Sequence, residues 1–187
     1  VELGLVGITV PEAFGGLGMS SLDFVLLAQE CGYVALPEPL VQTALVAVPL
    51  LEALGGELAT EWLPRIAAGE GIVAVGLQQN LLVEDAHIAG LILLEQAGEI
   101  HAVTPDQCEL QRSESVDPSR QLFTVATKGS GNVVAQGEQA TRLLKQALNH
   151  GALGAAAQSL GLAQRMIDLS VQYTADRQQF GKPVGSF

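Results

Sequence analysis

Basic residues are scarce in this chain, nine Lys and Arg against twenty Asp and Glu, for a net charge of -11. A surface of that sign repels phosphate backbones and anionic headgroups, which argues against nucleic acid and membrane surfaces as partners. Long apolar runs are missing too. No stretch of about 18 uninterrupted apolar residues exists to span a bilayer, and the start, Val1-Glu2-Leu3-Gly4-Leu5, has no basic region ahead of an apolar core. The expectation is a soluble, cytoplasmic protein. Only two cysteines occur, Cys31 and Cys108, too far apart for a metal-binding spacing or a disulfide framework, and both are expected to be ordinary buried thiols. The three histidines, His87, His101 and His150, are scattered without metal-ligand spacing. No metal site and no Ser-His-Asp set is readable.

What is present is 48% hydrophobic content over 187 residues, enough to bury a core. Residues 1–72 read as helices joined by tight turns. Ser20 and Asp23 have the spacing of a capping box, ahead of the run Leu22, Val25, Leu26, Ala28, and that helix should stop near Gly32. A second run, Leu40 to Leu54, closes on Gly55-Gly56, with Pro49 expected to bend it. Within a third, Glu57 to Ala68, Pro64 is expected to open a new short helix. Residues 73–135 change to short β-type runs, Ile72–Leu77, Leu91–Leu94, Ile100–Val103 and Leu122–Ala126, separated by turns at Gly98, Thr104-Pro105-Asp106 and Asp117-Pro118-Ser119. A small antiparallel sheet or partial barrel is predicted. From Gln136 to about Ala175 proline is absent and apolar residues recur at helical spacing, through Leu143, Ala147, Leu153, Ala157, Leu160, Ile167 and Val171. A single helix of that length runs about 60 Å, so a break near Asn149-His150-Gly151 is considered. Small residues at 151–157 would let another backbone approach closely.

The chain then reads Tyr173-Thr174-Ala175-Asp176-Arg177-Gln178-Gln179-Phe180-Gly181-Lys182-Pro183. This segment resembles the flavin-facing signature of the acyl-CoA dehydrogenases. Two other segments are similar to that family in the right order: Val10-Pro11-Glu12-Ala13-Phe14-Gly15-Gly16-Leu17-Gly18, and Leu63-Pro64-Arg65-Ile66-Ala67-Ala68-Gly69-Glu70. The glycines at 15, 16 and 18 lack the third glycine and the strand-to-helix setting of a dinucleotide loop, and are read as a structural turn.

The resemblance implies an α+β, mainly helical fold: an N-terminal helical domain over 1–72, a shortened middle β domain over 73–135, and over 136–187 the first long helix of a C-terminal helical domain. It implies FAD as cofactor, with Arg177 on the pyrophosphate and Gln179 and Phe180 touching the cofactor, commonly one shared with a neighbouring subunit. A planar guanidinium suits phosphate oxygens and an aromatic ring suits a ligand face. Taken alone, Arg177 also reads as a helix C-terminal cation before a Gly181-Lys182-Pro183 stop.

The pattern departs from the family in the middle domain. Gly76-Leu77-Gln78-Gln79-Asn80 stands where a Gly-(Leu/Met)-Thr-Glu-Pro loop is usual, and the one tryptophan, Trp62, lies in the helical region. Val83-Glu84-Asp85-Ala86-His87 and Ser115 to Arg120 look like degenerate family segments, with Asp117 and Arg120 as turn and surface residues. The resemblance implies that the proton-abstracting carboxylate comes in most members from the C-terminal helical domain well beyond the signature; in others it comes from the long helix, at a position that falls here on Gly151, and no acidic residue lies between Glu138 and Asp168. The chain is therefore expected to carry no catalytic base of its own.

The resulting expectation is a subunit or fragment of an FAD-dependent acyl-CoA dehydrogenase acting on an acyl-CoA thioester, paired with a homologous subunit in a hetero- or homo-oligomer. The heteromeric bacterial type, whose substrates are bulky or steroid-derived, is favoured. The alternatives are a non-catalytic assembly subunit that keeps the fold without the flavin, and a truncated piece of a homotetrameric enzyme.

Overall fold

The computed structural model describes residues 4–129 and 131–187; Val1-Glu2-Leu3, on which the expectation about the start of the chain falls, lies outside them. Helix α1 spans Ser21–Tyr33, and its N-terminus is the expected capping box: Asp23 N–H donates to Ser20 Oγ, and Ser20 N–H donates to the Asp23 carboxylate at 2.9 Å. Its inward face is Phe24, Ala28, Cys31 and Gly32, whereas Leu22 and Leu26 of the expected apolar run point outward, 78% and 69% exposed. The turn before α1 depends on Gly16, where a Cβ would overlap the Val10 carbonyl. Gly18 N–H closes the loop on that same oxygen at 2.8 Å.

The second run enters as a π-helical segment, Gln42–Ala47, continuing as α2, Val48–Leu54. Pro49 sits at the start of α2 and has no N–H for the carbonyl one turn back, so the register widens just ahead of it. Gly55 and Gly56 have φ of 67° and 62°, positive values that favour glycine, but Gly55 with ψ −156° is extended beyond the left-handed helical conformation expected of it. Helix α3 covers Gly56–Ala67 with Pro64 inside it, not at the head of a new helix. The proline is tolerated because it and Thr60, the residue whose carbonyl it leaves without a donor, lie on the solvent face where water can serve that oxygen.

The middle region holds β1 (Val73–Gly76), β2 (Val83–Glu84), β3 (Leu91–Gln96), β4 (Glu99–Val103), β5 (Cys108–Ser113), β6 (Leu122–Thr127) and β7 (Asn132–Ala135). One sheet has the order β1-β3-β4-β7 and the other β2-β6-β5. Their pairings are antiparallel except β1 with β3, which run parallel, Val73 opposite Leu91. Strands β3 and β4 join through Ala97 and Gly98, both at positive φ, the two-residue turn that matches strand twist. Ala74, Val83, Ile92, Leu94, Val103 and Phe123 fill one apolar cluster here.

Helix α4, Gly137–Asp176, is continuous for 40 residues, with no break at Asn149-His150-Gly151. Its first half is held by burial along one face, at Leu143, Ala147, Gly154 and Ala157. It packs on α1 and the π segment of the same chain, which identifies the neighbour of the small-residue region. At Gly154 a Cβ would come within 2.5 Å of Val41 Cγ1, and at Gly161 it would overlap the Gln29 carbonyl of α1. The central cluster draws Val48, Leu51, Trp62, Leu63, Leu93 and Leu143 from all three regions. From Leu160 onward the apolar residues of α4, including Leu160, Met166, Ile167 and Val171, are exposed.

Candidate functional site

Two features bear on function: a cleft in the body of the chain and a hairpin at the end of α4. The cleft consists of two adjoining chambers of about 380 and 280 Å³, which share Gln42, Val46, Glu84, Asp85, Gly151 and Ala155 among their walls. It lies where the π segment, the β1–β2 region and α4 converge. The helical wall has almost no side-chain bulk at Gly151, Ala152 and Ala155 and carries no charge. The charged groups of the cleft are Glu84, Asp85, Asp117 and Arg120 from the β region and Glu38 from the segment ahead of the π helix.

Glu84 is paired with Arg120. Asp117 accepts from Ser119 N–H at 3.0 Å and Ser119 Oγ at 2.6 Å, and these bonds hold its carboxyl below the usual range. Arg120 and Asp117 thus do what the sequence suggested for turn and surface residues, yet both also line the larger chamber. Asp85 differs from its neighbours. Its backbone is left-handed, φ 54°, its N–H donates to the Gln121 carbonyl at 2.9 Å, and its own carbonyl accepts from Ile88 and Ala89. Burial pushes its carboxyl above the usual range, partly offset by His87. The loop after β1 is tied down: Leu77 and Asn80 form a bridge, and Gln78 N–H donates to Glu95 Oε2 at 2.8 Å.

At the other end, Arg177 caps α4 with φ −69° and ψ 118°, turning the backbone out of the helix. Strands β8 (Gln178–Gln179) and β9 (Lys182–Pro183) form a hairpin, closed at its base by Val184 N–H donating to the Arg177 carbonyl at 2.8 Å. Its tip residues, Phe180 and Gly181, have φ 51° and 78°. Phe180 is 93% exposed and meets Phe187 edge to face at 6.2 Å, while Lys182 Nζ lies 4.2 Å from the centre of the Phe187 ring. Arg177, Gln179 and Phe180 are thus brought together on one exposed element. None of them lines the cleft of its own chain.

The histidines stay apart: His87 stacks on Phe123 at 4.8 Å, His101 Nε2 approaches Glu99 Oε2 at 3.3 Å, and His150 is half-buried on α4. Among the described residues no group of three or more His, Cys, Asp or Glu is arranged to hold a metal. Cys31 and Cys108 are free and buried, and burial raises both thiols. No helix among the described residues is long and apolar enough to cross a membrane.

Residues 1–70 match the family model for the N-terminal domain of acyl-CoA dehydrogenases, and residues 141–187 match the model for their C-terminal domain. The chain belongs to the acyl-CoA dehydrogenase family. All of it aligns with two curated relatives described as acyl-CoA dehydrogenase IpdE2. The protein from Mycobacterium tuberculosis is 29% identical over 188 residues and that from Mycolicibacterium smegmatis 30% identical over 190. The chain spans about half the length of each, 54% and 55%. Among solved structures, an acyl-CoA dehydrogenase from Geobacillus kaustophilus superposes with a TM-score of 0.84 at 20% identity, covering 100% of this chain and 61% of that one. The ChsE4-ChsE5 complex from Mycobacterium tuberculosis gives 0.83 at 19%, covering 100% and 58%. These two establish the acyl-CoA dehydrogenase fold, which the α+β arrangement of helices, sheets and long helix follows.

The sequence reading missed the cleft and the acidic pair Glu84-Asp85 on its wall. The available signal was an acidic pair directly after a strand-like Leu81-Leu82-Val83, which resemblance to a degenerate segment masked.

Proposed function

We propose that this chain forms part of an FAD-dependent acyl-CoA dehydrogenase, acting in the α,β-dehydrogenation of an acyl-CoA thioester at a flavin site shared with a homologous partner chain. The observation that carries the reading is the separation of hairpin and cleft. Arg177, Gln179 and Phe180 stand exposed on an element that takes no part in the chain's own cleft. A cofactor held by that hairpin would then serve a site completed by another polypeptide. The residues fit such a group: Arg177 has no carboxylate partner among the described residues, and a fully presented aromatic ring flanks it. Arg177 would hold the diphosphate through paired N–H donors, and Phe180 would cover an apolar face of the cofactor. The flavin supplies the two-electron acceptor when bound. The cleft would hold the acyl group, its bulk-free α4 wall leaving width for a branched or ring-bearing chain. Within this reading the protein acts in the cytoplasm.

One observation favours the second reading, an assembly subunit that has kept the fold without the flavin. The loop after β1 spends the Gln78 amide on Glu95 and the Leu82 amide on Asn80 Oδ1, and so offers a ligand fewer free donors. Co-expression with a homologous acyl-CoA dehydrogenase subunit separates the two. A yellow complex that loses its flavin on Arg177→Ala supports the shared site. A colourless complex, or flavin content indifferent to Arg177→Ala, supports the scaffold.

A further inference from the structure

Three glycines, Gly151, Gly154 and Gly161, lie in the interior of α4, where glycine is less favourable than alanine. Packing explains two of them: a Cβ at Gly154 would press on Val41 Cγ1, and one at Gly161 would overlap the Gln29 carbonyl. Gly151 has no such reason. A Cβ there would meet only Val46 Cγ2, at an ordinary 3.7 Å, and its backbone is plain helix, which any residue adopts. The space that a larger side chain would enter is the cleft, since Gly151 lines both chambers.

The two chambers differ in chemistry. The smaller, about 280 Å³, is walled largely by apolar groups, among them Ile72, Val75, Leu77, Leu82 and Leu148. The larger, about 380 Å³, carries four carboxyl groups, Glu38, Glu84, Asp85 and Asp117, against the guanidinium of Arg120, which is paired with Glu84. They meet at walls they share, Gly151 and Ala155 on α4 facing Gln42 and Val46 of the π segment. A side chain larger than a methyl at 151 would stand in the passage between them.

We propose that Gly151 is a specificity-determining residue of the cleft: by leaving the passage open it admits an acyl group broad enough to occupy both chambers, hydrocarbon in the smaller and a neutral, hydroxyl-bearing part in the larger. The inference rests on the reading of the chain as part of an acyl-CoA dehydrogenase. Apolar carbon gains by leaving water for the smaller chamber. In the larger, a hydroxyl can donate to a carboxylate. A carboxylate on the acyl group would instead meet like charges, with the one cation lining that chamber among the described residues engaged by Glu84. Gly151 touches no reacting group in this account; it sets which acyl groups reach the site.

The test is titration calorimetry on the complex with a homologous partner subunit, using butanoyl-CoA, 3-cyclohexylpropanoyl-CoA, and the 4-hydroxy and 4-carboxy forms of the latter. Gly151→Leu should raise the ratio of the cyclohexylpropanoyl-CoA Kd to the butanoyl-CoA Kd at least about tenfold, and Gly151→Ala should raise it by a smaller factor. In wild type the hydroxy form should bind at least about tenfold more tightly than the carboxy form. A ratio left at its wild-type value by Gly151→Leu, or a carboxy form bound as tightly as the hydroxy form, overturns this inference and leaves the proposed function standing. A wild-type complex that binds none of the four thioesters overturns both. Should Gly151→Leu fail to assemble, Gly151→Ala decides, because its Cβ has room: an unchanged ratio there overturns the proposal.

Discussion

Gly161 of α4 lies against the carbonyl of Gln29 on α1, so closely that a β-carbon at 161 would overlap the oxygen. Gly32 makes the reciprocal approach to the Gln158 carbonyl. In an isolated helix, exchanging glycine for alanine is worth about 1 kcal/mol of stability. Here the atom in the way is backbone and cannot rotate aside, so the helices must part. Gly161→Ala should therefore destabilise by about 1–3 kcal/mol, seen as a lower urea midpoint at unchanged slope. Gly151→Ala is the counter-case: its Cβ would meet only Val46 Cγ2 at an ordinary 3.7 Å, so propensity wins and the midpoint should rise by about 0.5–1 kcal/mol.

Pro64 interrupts α3 on its solvent side. Pro64→Ala restores the donor that the Thr60 carbonyl lacks, against a small loss from a freer unfolded chain. A net gain of about 1 kcal/mol is expected, measured by thermal or urea unfolding. An unchanged or lower midpoint would mean that the helix around Pro64 has been shaped to need it.

The Ser20–Asp23 box fixes where α1 begins. Ser20→Ala should cost about 1 kcal/mol. The acid side of the stability curve should change with it: the Ser20 hydrogen bonds hold the Asp23 carboxyl below its ordinary value. Its contribution is thus complete above the unfolded pKa and disappears as the pH falls through the folded one. Urea midpoints of wild type and Ser20→Ala should converge toward low pH.

Cys31 and Cys108 are buried with raised thiols. Their protonated forms are favoured in the fold, so stability is whole below the unfolded thiol pKa and declines as the pH rises above it toward the folded value. Ellman's reagent at pH 8 should label neither thiol within minutes in the native protein and both after urea. Rapid native labelling of either would contradict its burial.

Much of this architecture was readable before any coordinates. The capping box and the bounds of the long helix, expected from Gln136 to Ala175 and found at Gly137–Asp176, are local signals: side-chain spacing and the absence of proline. The four expected β runs correspond to β1, β3, β4 and β6. Strand β5, Cys-Glu-Leu-Gln-Arg-Ser, went unseen because its inward positions are one cysteine, Cys108, and one half-buried leucine, Leu110, among polar residues. Strands β2 and β7 are too short to show a period. The parallel pairing of β1 with β3 depends on a crossing of the chain that no local pattern encodes. Gly32 and Gly161 read as ordinary helix glycines, since their necessity comes from a partner about 130 residues away. Arg177, Gln179 and Phe180 could be singled out by motif because they are contiguous, whereas the cleft around Asp85 is assembled from three distant stretches.

Asp168 accepts the Tyr33 hydroxyl at 2.9 Å, and the Arg165 guanidinium lies 5.3 Å from the centre of the Tyr33 ring. That clasp acts as a pivot, and the remaining turns of α4 make an arm of about 14 Å ending at Arg177. The backbone bond from Val184 keeps the hairpin rigid on the end of the arm. Swinging the arm by about 5° would carry the guanidinium about 1 Å, the scale at which misplacement is felt in a reacting site. Loosening Tyr33 should thus shift the Arg177 guanidinium without altering any residue of the hairpin itself.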